Sequence, residues 1–148
     1  WLIDALSASL ASFKIVAIGG QVLNTAARSE NYAHHHKKER DLLLKKIEEE
    51  GIKNVVFLTG DRHHTELSKL VNGAGNTIYD VTVSPLTSGV ARRTDEINEN
   101  RIPNTLINEH NYGILEFSGE RLSRNLKISI FNRENKLLWM HEIAAESK

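Results

Sequence analysis

The sequence contains no cysteine, which excludes disulfide bonds and thiolate metal ligands within this chain. The compartment stays open, because many exported proteins also lack cysteine. There is also no excess of either charge, since 19 Lys and Arg residues balance 19 Asp and Glu residues. Non-specific binding to a polyanion needs a basic excess, so the composition indicates neither a nucleic-acid partner nor an anionic membrane surface.

No apolar run approaches the roughly 20 residues of a membrane-spanning helix, and Trp1 begins no secretory signal. The chain does not start with Met, so we expect a processed chain or part of a longer protein. With 148 residues, 40% of them hydrophobic, it suits a single domain with its own core.

One segment, Ile52–Leu67, carries the strongest functional signal. Its apolar run Val55–Leu58 is typical of a parallel strand that is buried on both faces. Thr59-Gly60 ends this strand, and five ionisable residues follow at once: Asp61, Arg62, His63, His64 and Glu66. Because ligands of open α/β sheets bind outside the carboxyl ends of the strands, this cluster is well placed for chemistry.

The spacing within the cluster favours a metal site. In an extended chain, Asp61 and His63 point the same way and Arg62 points to the opposite side. A carboxylate oxygen and an imidazole nitrogen that converge on one point suit Zn, Fe or Mn better than Ca. His64 points away from that pair, and its role stays open between support of the metal ligands, contact with substrate and no role.

Two other interpretations of the cluster remain. A mononuclear zinc hydrolase would use His63, His64 and Glu66 around one metal ion. A non-catalytic binding or scaffold domain would use Asp61 only as the N-cap of a short helix over Thr65–Val71, with Glu66 completing a capping box.

The remaining pattern predicts α/β structure followed by antiparallel strands. We expect helices over Trp1–Ala11 and Lys37–Glu50, the second capped by Gly51, with Phe13–Ile18 and Val55–Leu58 as parallel neighbours. The other predicted strands are Thr77–Ser84, Tyr112–Phe117, Asn125–Phe131 and Leu137–Ile143, the last three forming an antiparallel meander.

Further site residues are expected in the loops. Gln21 and Asn24 follow the predicted strand Phe13–Ile18 at a second junction between strand and loop. In the long loop Asn24–Lys38 we expect Asn31-Tyr32 to form a lid over substrate, and the triplet His34–His36 to be solvated. Arg92-Arg93 is available to an anionic substrate, but such pairs are more often solvated.

Several blocks resemble one family in their order along the chain. Gly60-Asp61-Arg62-His63 resembles the C-terminal metal-binding block of the PhoD-like alkaline phosphatases, in the calcineurin-like metallophosphoesterase superfamily. The other similar blocks are Trp1-Leu2 with Ser7, Phe13–Val16 with Gly20-Gln21, Asn31-Tyr32 with Glu39-Arg40 and Leu42-Leu43, Ser84–Gly89, and Asn111–Gly113.

This resemblance implies one half of a four-layer α-β-β-α sandwich and hydrolysis of phosphate mono- or diesters. It implies Asp61 and His63 as metal ligands, His64 as a catalytic residue, and Gln21, Asn31, Tyr32 and Arg62 near the substrate. The intact site would hold two ions of Fe, Zn, Mn or Ca.

The family's other ligand blocks precede the point that corresponds to Trp1. We therefore expect the C-terminal part of a larger enzyme, inactive alone, whose uncovered sheet edge could self-associate. Export to the periplasm or the cell exterior is implied by the resemblance only.

Overall fold

The computed structural model describes residues 1–26, 31–91 and 95–146. Within these ranges, three helices and seven strands occur in the order α1 (Leu2–Ala8), β1 (Lys14–Ala17), α2 (Tyr32–His35), α3 (Lys37–Glu49), β2 (Val55–Thr59), β3 (Glu66–Val71), β4 (Thr77–Thr82), β5 (Asn111–Ser118), β6 (Asn125–Asn132) and β7 (Leu137–Ala144). None of the helices in these ranges is long and apolar enough to cross a membrane.

The strands form two sheets. In the first sheet the order is β1-β2-β4-β3, with β1, β2 and β4 mutually parallel and β3 antiparallel to β4. The second sheet is the antiparallel meander β5-β6-β7. The predicted parallel pairing of β1 with β2 and the predicted closing meander are both confirmed.

Strand β2 lies at the centre of the packing. Val55 and Phe57 pack with Ile47 of α3 on one face, while Val56 packs with Leu126 and other residues of the second sheet on the opposite face. This alternation is the period-two geometry of a strand, and it confirms burial on both faces. The described residues therefore form a helical layer and two sheets, so the structure supports an α/β fold with a mixed sheet.

The predicted helix over Thr65–Val71 is wrong, because Glu66–Val71 forms β3. A tight turn over residues 72–76 brings Val71 opposite Thr77, which makes β3 and β4 a hairpin. The Leu67–Leu70 spacing is compatible with a helix, but pairing with β4 decides the conformation. Since no helix follows Asp61, the capping interpretation of Asp61 is wrong as well.

Helix α3 ends as the sequence predicts. Gly51 has φ +60°, and Ile52 N–H donates to Ile47 C=O at 2.9 Å, which is the hydrogen bond of a Schellman cap. The predicted loop Asn24–Lys38 needs a correction, because it contains the short helix α2, whose first turn is capped by Asn31. Residues 27–30 of that loop lie outside the described residues.

Candidate active site

The ionisable cluster after β2 forms a tight turn rather than extended chain. Asp61 and His63 have φ values of +66° and +56°, in the left-handed region. The predicted extended geometry is therefore wrong at this point, although both residues still follow the carboxyl end of a parallel strand. Asp61 is exposed and His63 is half-buried, so both side chains are accessible to a ligand.

Neighbouring loops hold this turn in place through backbone groups. Gly60 N–H donates to Gly19 C=O at 3.0 Å, which joins the loops that follow β2 and β1. His63 N–H donates to Ser84 Oγ at 3.1 Å, and His63 C=O accepts from Ala91 N–H at 2.8 Å. The Ser84 hydroxyl thus stabilises the turn, which is the structural role expected for this residue type in a loop.

Arg62 and His64 point into the protein on the other side of the turn. The Arg62 guanidinium forms a buried ion pair with Glu96. His64 is 4% exposed, and its Nε2 lies 3.8 Å from Glu66 Oε1. Within the described ranges, His64 Nε2 has no partner at hydrogen-bond distance. The turn therefore separates two outward ligand candidates from two inward side chains.

Glu66 is the centre of a buried polar network beneath the turn. Its Oε1 accepts from Gln21 Nε2 at 2.7 Å, Asn98 Nδ2 at 2.9 Å and Asn24 Nδ2 at 3.2 Å, and its Oε2 pairs with the Arg101 guanidinium. Both carboxylate oxygens are therefore engaged. Burial raises the pKa of Glu66, but the nearby His64 and Arg101 side chains outweigh burial and lower that pKa to about 2.

Asp80 is a second buried carboxylate on the same face of the first sheet. Its Oδ2 accepts the backbone N–H groups of Val22 at 2.7 Å and Leu23 at 2.9 Å, and its Oδ1 accepts from Thr59 Oγ1 at 2.7 Å. Burial raises the pKa of Asp80 to about 6, although these three donors act in the opposite direction. Asp80 therefore fixes the loop after β1 onto β4.

The two polar candidates in that loop lie inside the network. Gln21 is fully buried, and its amide donates to Glu66 and to Thr82 Oγ1 and accepts from Asn24. Asn24 is also fully buried, and its amide donates to Glu96 Oε1 at 2.6 Å. Both side chains therefore stabilise the wall of the site, and neither reaches its surface.

A pocket of about 310 Å³ opens beside Asp61. It brings Asp61 together with Asn31 and Tyr32, the predicted lid residues, and with two histidines of the triplet, His35 and His36. Asn31 Oδ1 accepts from His34 N–H at 2.8 Å, and its Nδ2 donates to Ala26 C=O, so both ends of this buried amide are used within the protein. Among the predicted substrate-binding residues, the structure places Asn31 and Tyr32 at the pocket and Gln21 and Arg62 behind it.

Comparison with known proteins identifies the family of this chain. The sequence model of the PhoD-like phosphatases matches residues 1–123. The chain belongs to this family. It is also similar to a solved structure of PhoD, with a TM-score of 0.66 at 14% sequence identity. A search of curated proteins gave no match.

The structural match to PhoD covers 99% of this chain and 34% of the PhoD chain. The present chain therefore spans about a third of the length of that structure. At 14% identity the likeness supports the fold, whereas the family match shows membership of the PhoD-like phosphatases. The two findings agree with the resemblance seen in the sequence.

The donor set fits part of a metal site. Asp61 offers an oxygen and His63 a nitrogen, both accessible and both on the turn that the loop hydrogen bonds position. Over residues 1–26, 31–91 and 95–146, however, no three His, Asp or Glu side chains converge in a way that could hold an ion. Asp61 and His63 alone are fewer ligands than a catalytic zinc ion takes from a protein.

Sequence reasoning missed Asp80, Glu96 and Asn98, which complete the buried network. Asp80 carries a detectable signal, since it is a lone carboxylate in the apolar strand Ile78–Val81. Glu96 and Asn98 belong to an irregular charged loop whose sequence carries no such signal. The triplet His34–His36 is exposed, as the sequence predicts, and His35 and His36 also line the pocket beside Asp61, which no pattern in the sequence indicates. Arg92 and Arg93 lie outside the described residues.

Proposed function

We propose that this PhoD-like family member takes part in metal-dependent hydrolysis of phosphate mono- or diesters. The supporting observation is the turn at the carboxyl end of β2, in which Asp61 is exposed and lines a pocket and His63 is partly exposed. Ligands of α/β sheets bind at such strand ends. Family membership supports the reaction class, and the turn contains the two proposed metal ligands, Asp61 and His63.

Asp61 and His63 would hold a metal ion of Fe, Zn, Mn or Ca through one carboxylate oxygen and one imidazole nitrogen. Such an ion, when bound, neutralises charge on phosphoryl oxygens and lowers the pKa of coordinated water. Hydrogen bonds of the Gly60 N–H and of the Ser84 hydroxyl fix the backbone next to Asp61 and at His63. The Asp61 and His63 side chains therefore extend from a fixed backbone.

We assign His64 a positioning role, because a side chain that is 4% exposed is poorly placed to protonate a leaving group. It packs beneath the turn and next to Glu66, so its loss should disturb Asp61 and His63 indirectly. Arg62 is assigned to the same support through its pair with Glu96. The substrate contacts predicted for Arg62 and Gln21 stay predictions. Asn31 and Tyr32 are the residues that line the pocket where substrate would lie.

A two-metal phosphatase needs about three protein ligands for each ion. The described residues offer two such ligands, Asp61 and His63, so we expect this chain alone to turn over phosphoesters poorly. The described residues give no support to self-association through a sheet edge, which stays a prediction. An extracytoplasmic location likewise stays a prediction.

Metal content, measured by mass spectrometry after equilibration with Mn²⁺ or Zn²⁺, tests the proposal directly. The Asp61→Ala/His63→Ala variant should lose the bound metal, while the matched control Asp4→Asn/His34→Ala should keep it. Asp4 is an exposed residue of α1, and His34 does not line the pocket. Equal metal content in both variants would refute the metal-ligand assignment.

Turnover of p-nitrophenyl phosphate and bis-p-nitrophenyl phosphate tests whether the isolated chain is catalytically active. We expect little or none from this chain, with or without added metal. Rapid turnover that Asp61→Ala abolishes would support the reaction class and would contradict the expected incompetence of the isolated chain.

The two alternative functions lose their main support. A mononuclear zinc site at His63, His64 and Glu66 requires a free carboxylate oxygen, whereas Glu66 uses both oxygens within the network. A scaffold role for Asp61 as a helix cap requires a helix, whereas β3 follows. Metal binding that survives Asp61→Ala but not Glu66→Gln would revive the first alternative.

A further inference from the structure

The pocket beside Asp61 is lined largely by side chains with rings. Three of its residues carry aromatic rings, Tyr32, His35 and His36, and Ile18 adds an aliphatic side chain. Asp61 is the acidic residue among those that line it. The pocket therefore combines a wall of rings with one carboxylate.

The three rings lie close together at the surface, where His35 and His36 are exposed. The Tyr32 and His36 ring centroids lie 5.6 Å apart with an interplanar angle of 59°, and the His35 and His36 centroids lie 6.2 Å apart. Tyr32 N–H donates to Gln21 C=O at 2.8 Å, and His36 N–H donates to Tyr32 C=O at 3.0 Å. These backbone hydrogen bonds tie the ring wall to the loop that Glu66 and Asp80 fix.

The two parts of a phosphoester suit different parts of this pocket. A phosphate oxygen next to the Asp61 carboxylate is repelled unless a cation lies between them. Tyr32, His35 and His36 carry no negative charge themselves, although the Glu39 carboxylate lies 4.0 Å from His36 Nδ1. Their rings offer faces and edges on which a planar group can stack. A volume of about 310 Å³ has room for one small ring, at the lower end of the range of about 300–1,000 Å³ for small-molecule sites.

We propose that the wall formed by Tyr32, His35 and His36 binds the leaving group of an aromatic phosphoester and so sets the specificity of the site. The phosphate part of this inference rests on the proposed function, whereas the ring-binding part does not. Two members of the histidine triplet, His35 and His36, thus gain a role in binding a planar group.

An NMR titration of the metal-free chain with phenol tests the ring wall by itself. We expect chemical-shift changes that centre on Tyr32, His35 and His36. The His35→Ala/His36→Ala variant should weaken binding about fivefold to tenfold, the expected size for the loss of ring contacts. The control His110→Ala removes a histidine ring that does not line the pocket, and it should bind phenol like the original chain. His34 is less suitable as a control, because its ring centroid lies 4.7 Å from that of His35.

Phenylphosphonate and methylphosphonate, titrated in the presence of Zn²⁺, test the complete inference. We expect phenylphosphonate to bind about fivefold to tenfold more tightly, and the preference to vanish in His35→Ala/His36→Ala. Equal affinity of the two phosphonates would overturn the inference and leave the proposed function standing. Phenol shifts at the ring wall without Zn²⁺-dependent phosphonate binding would support the ring wall and count against the metal site. The absence of phenol shifts at these residues would overturn the inference.

Discussion

Gln21 Nε2 donates a hydrogen bond of 2.7 Å to Glu66 Oε1, and both side chains are fully buried. This bond joins β3 to the loop after β1. Gln21 C=O also accepts the backbone N–H of Tyr32, which lines the pocket. A carboxylate with no access to solvent is therefore two hydrogen bonds away from the ring wall, and its loss should affect both stability and the site.

Replacement of Glu66 by Gln should destabilise the protein strongly. The new amide would replace one of the two acceptor oxygens by a donor, which would face either Gln21 or Arg101, and it would leave the Arg101 charge without its buried anionic partner. We expect the free energy of unfolding to fall by about 3 kcal/mol or more. Urea denaturation followed by circular dichroism measures this change.

Glu99→Gln provides the control, because Glu99 is an exposed carboxylate in the loop that also contains Asn98. It should change the free energy of unfolding by less than about 0.5 kcal/mol. A loss for Glu66→Gln as small as that of the control would contradict the central role of Glu66.

Stability should decline in acid because of Glu66. Its pKa of about 2 in the folded protein lies below the ordinary value of 4.5, so the unfolded chain binds this proton more tightly. The contribution of Glu66 is complete above pH 4.5 and is lost as pH falls toward 2, by about 3 kcal/mol in all. Urea midpoints measured across this interval should show the loss, and Glu66→Gln should flatten it. Equal slopes in both proteins would refute the assignment.

Asp80 should have the opposite effect on the pH dependence of stability, and at higher pH than Glu66. Its pKa of about 6 lies above the ordinary value of 3.8, so the folded protein binds this proton more tightly than the unfolded chain does. Stability should therefore decrease as pH rises from about 4 to 6, by about 3 kcal/mol at most. Together with Glu66, this predicts maximal stability between about pH 4 and 5 from these two groups. The ¹³Cγ resonance of Asp80, followed by NMR, reports its titration directly.

The variant Thr59→Val tests how the Thr59 hydrogen bond affects the pKa of Asp80. Thr59 Oγ1 donates to Asp80 Oδ1, and the loss of this donor removes stabilisation of the charged carboxylate. The ¹³Cγ titration of Asp80 should shift to higher pH. Thr77→Val, in the same strand as Asp80 but without a side-chain hydrogen bond to it, should leave the titration unchanged. A shift to lower pH in Thr59→Val would contradict the proposed hydrogen bond.

Much of the fold follows from local sequence patterns. The buried run Val55–Leu58, the Gly51 cap and the alternation of Leu126, Ile128 and Ile130 each specify an element without reference to distant residues. Strand β3 is different, because its sequence is compatible with a helix and pairing with β4 decides its conformation. Propensity alone cannot settle such a segment.

The site was predictable only in part for a similar reason. Asp61 and His63 are recognisable from residue type and position after a strand. The burial of Gln21 is not, because it depends on Glu66 and Thr82, which are 45 and 61 residues away. The positions of His35 and His36 depend on the four-residue helix α2, which is too short to be specified by hydrophobic periodicity.

Ser84→Ala should weaken metal binding without removing a ligand. The Ser84 hydroxyl accepts the His63 backbone N–H at 3.1 Å, so its loss frees the turn that carries both proposed ligands. Loss of groups that orient ligands typically reduces metal affinity about 10- to 100-fold. Isothermal titration with Zn²⁺ should show at least a tenfold weaker affinity, with a stability loss of only about 1 kcal/mol. Ser88→Ala changes an exposed hydroxyl of the same loop and should leave the affinity unchanged. If Ser84→Ala binds Zn²⁺ as tightly as the original chain, the turn does not depend on this hydrogen bond, and the Ser84 hydroxyl has no part in positioning the proposed ligands.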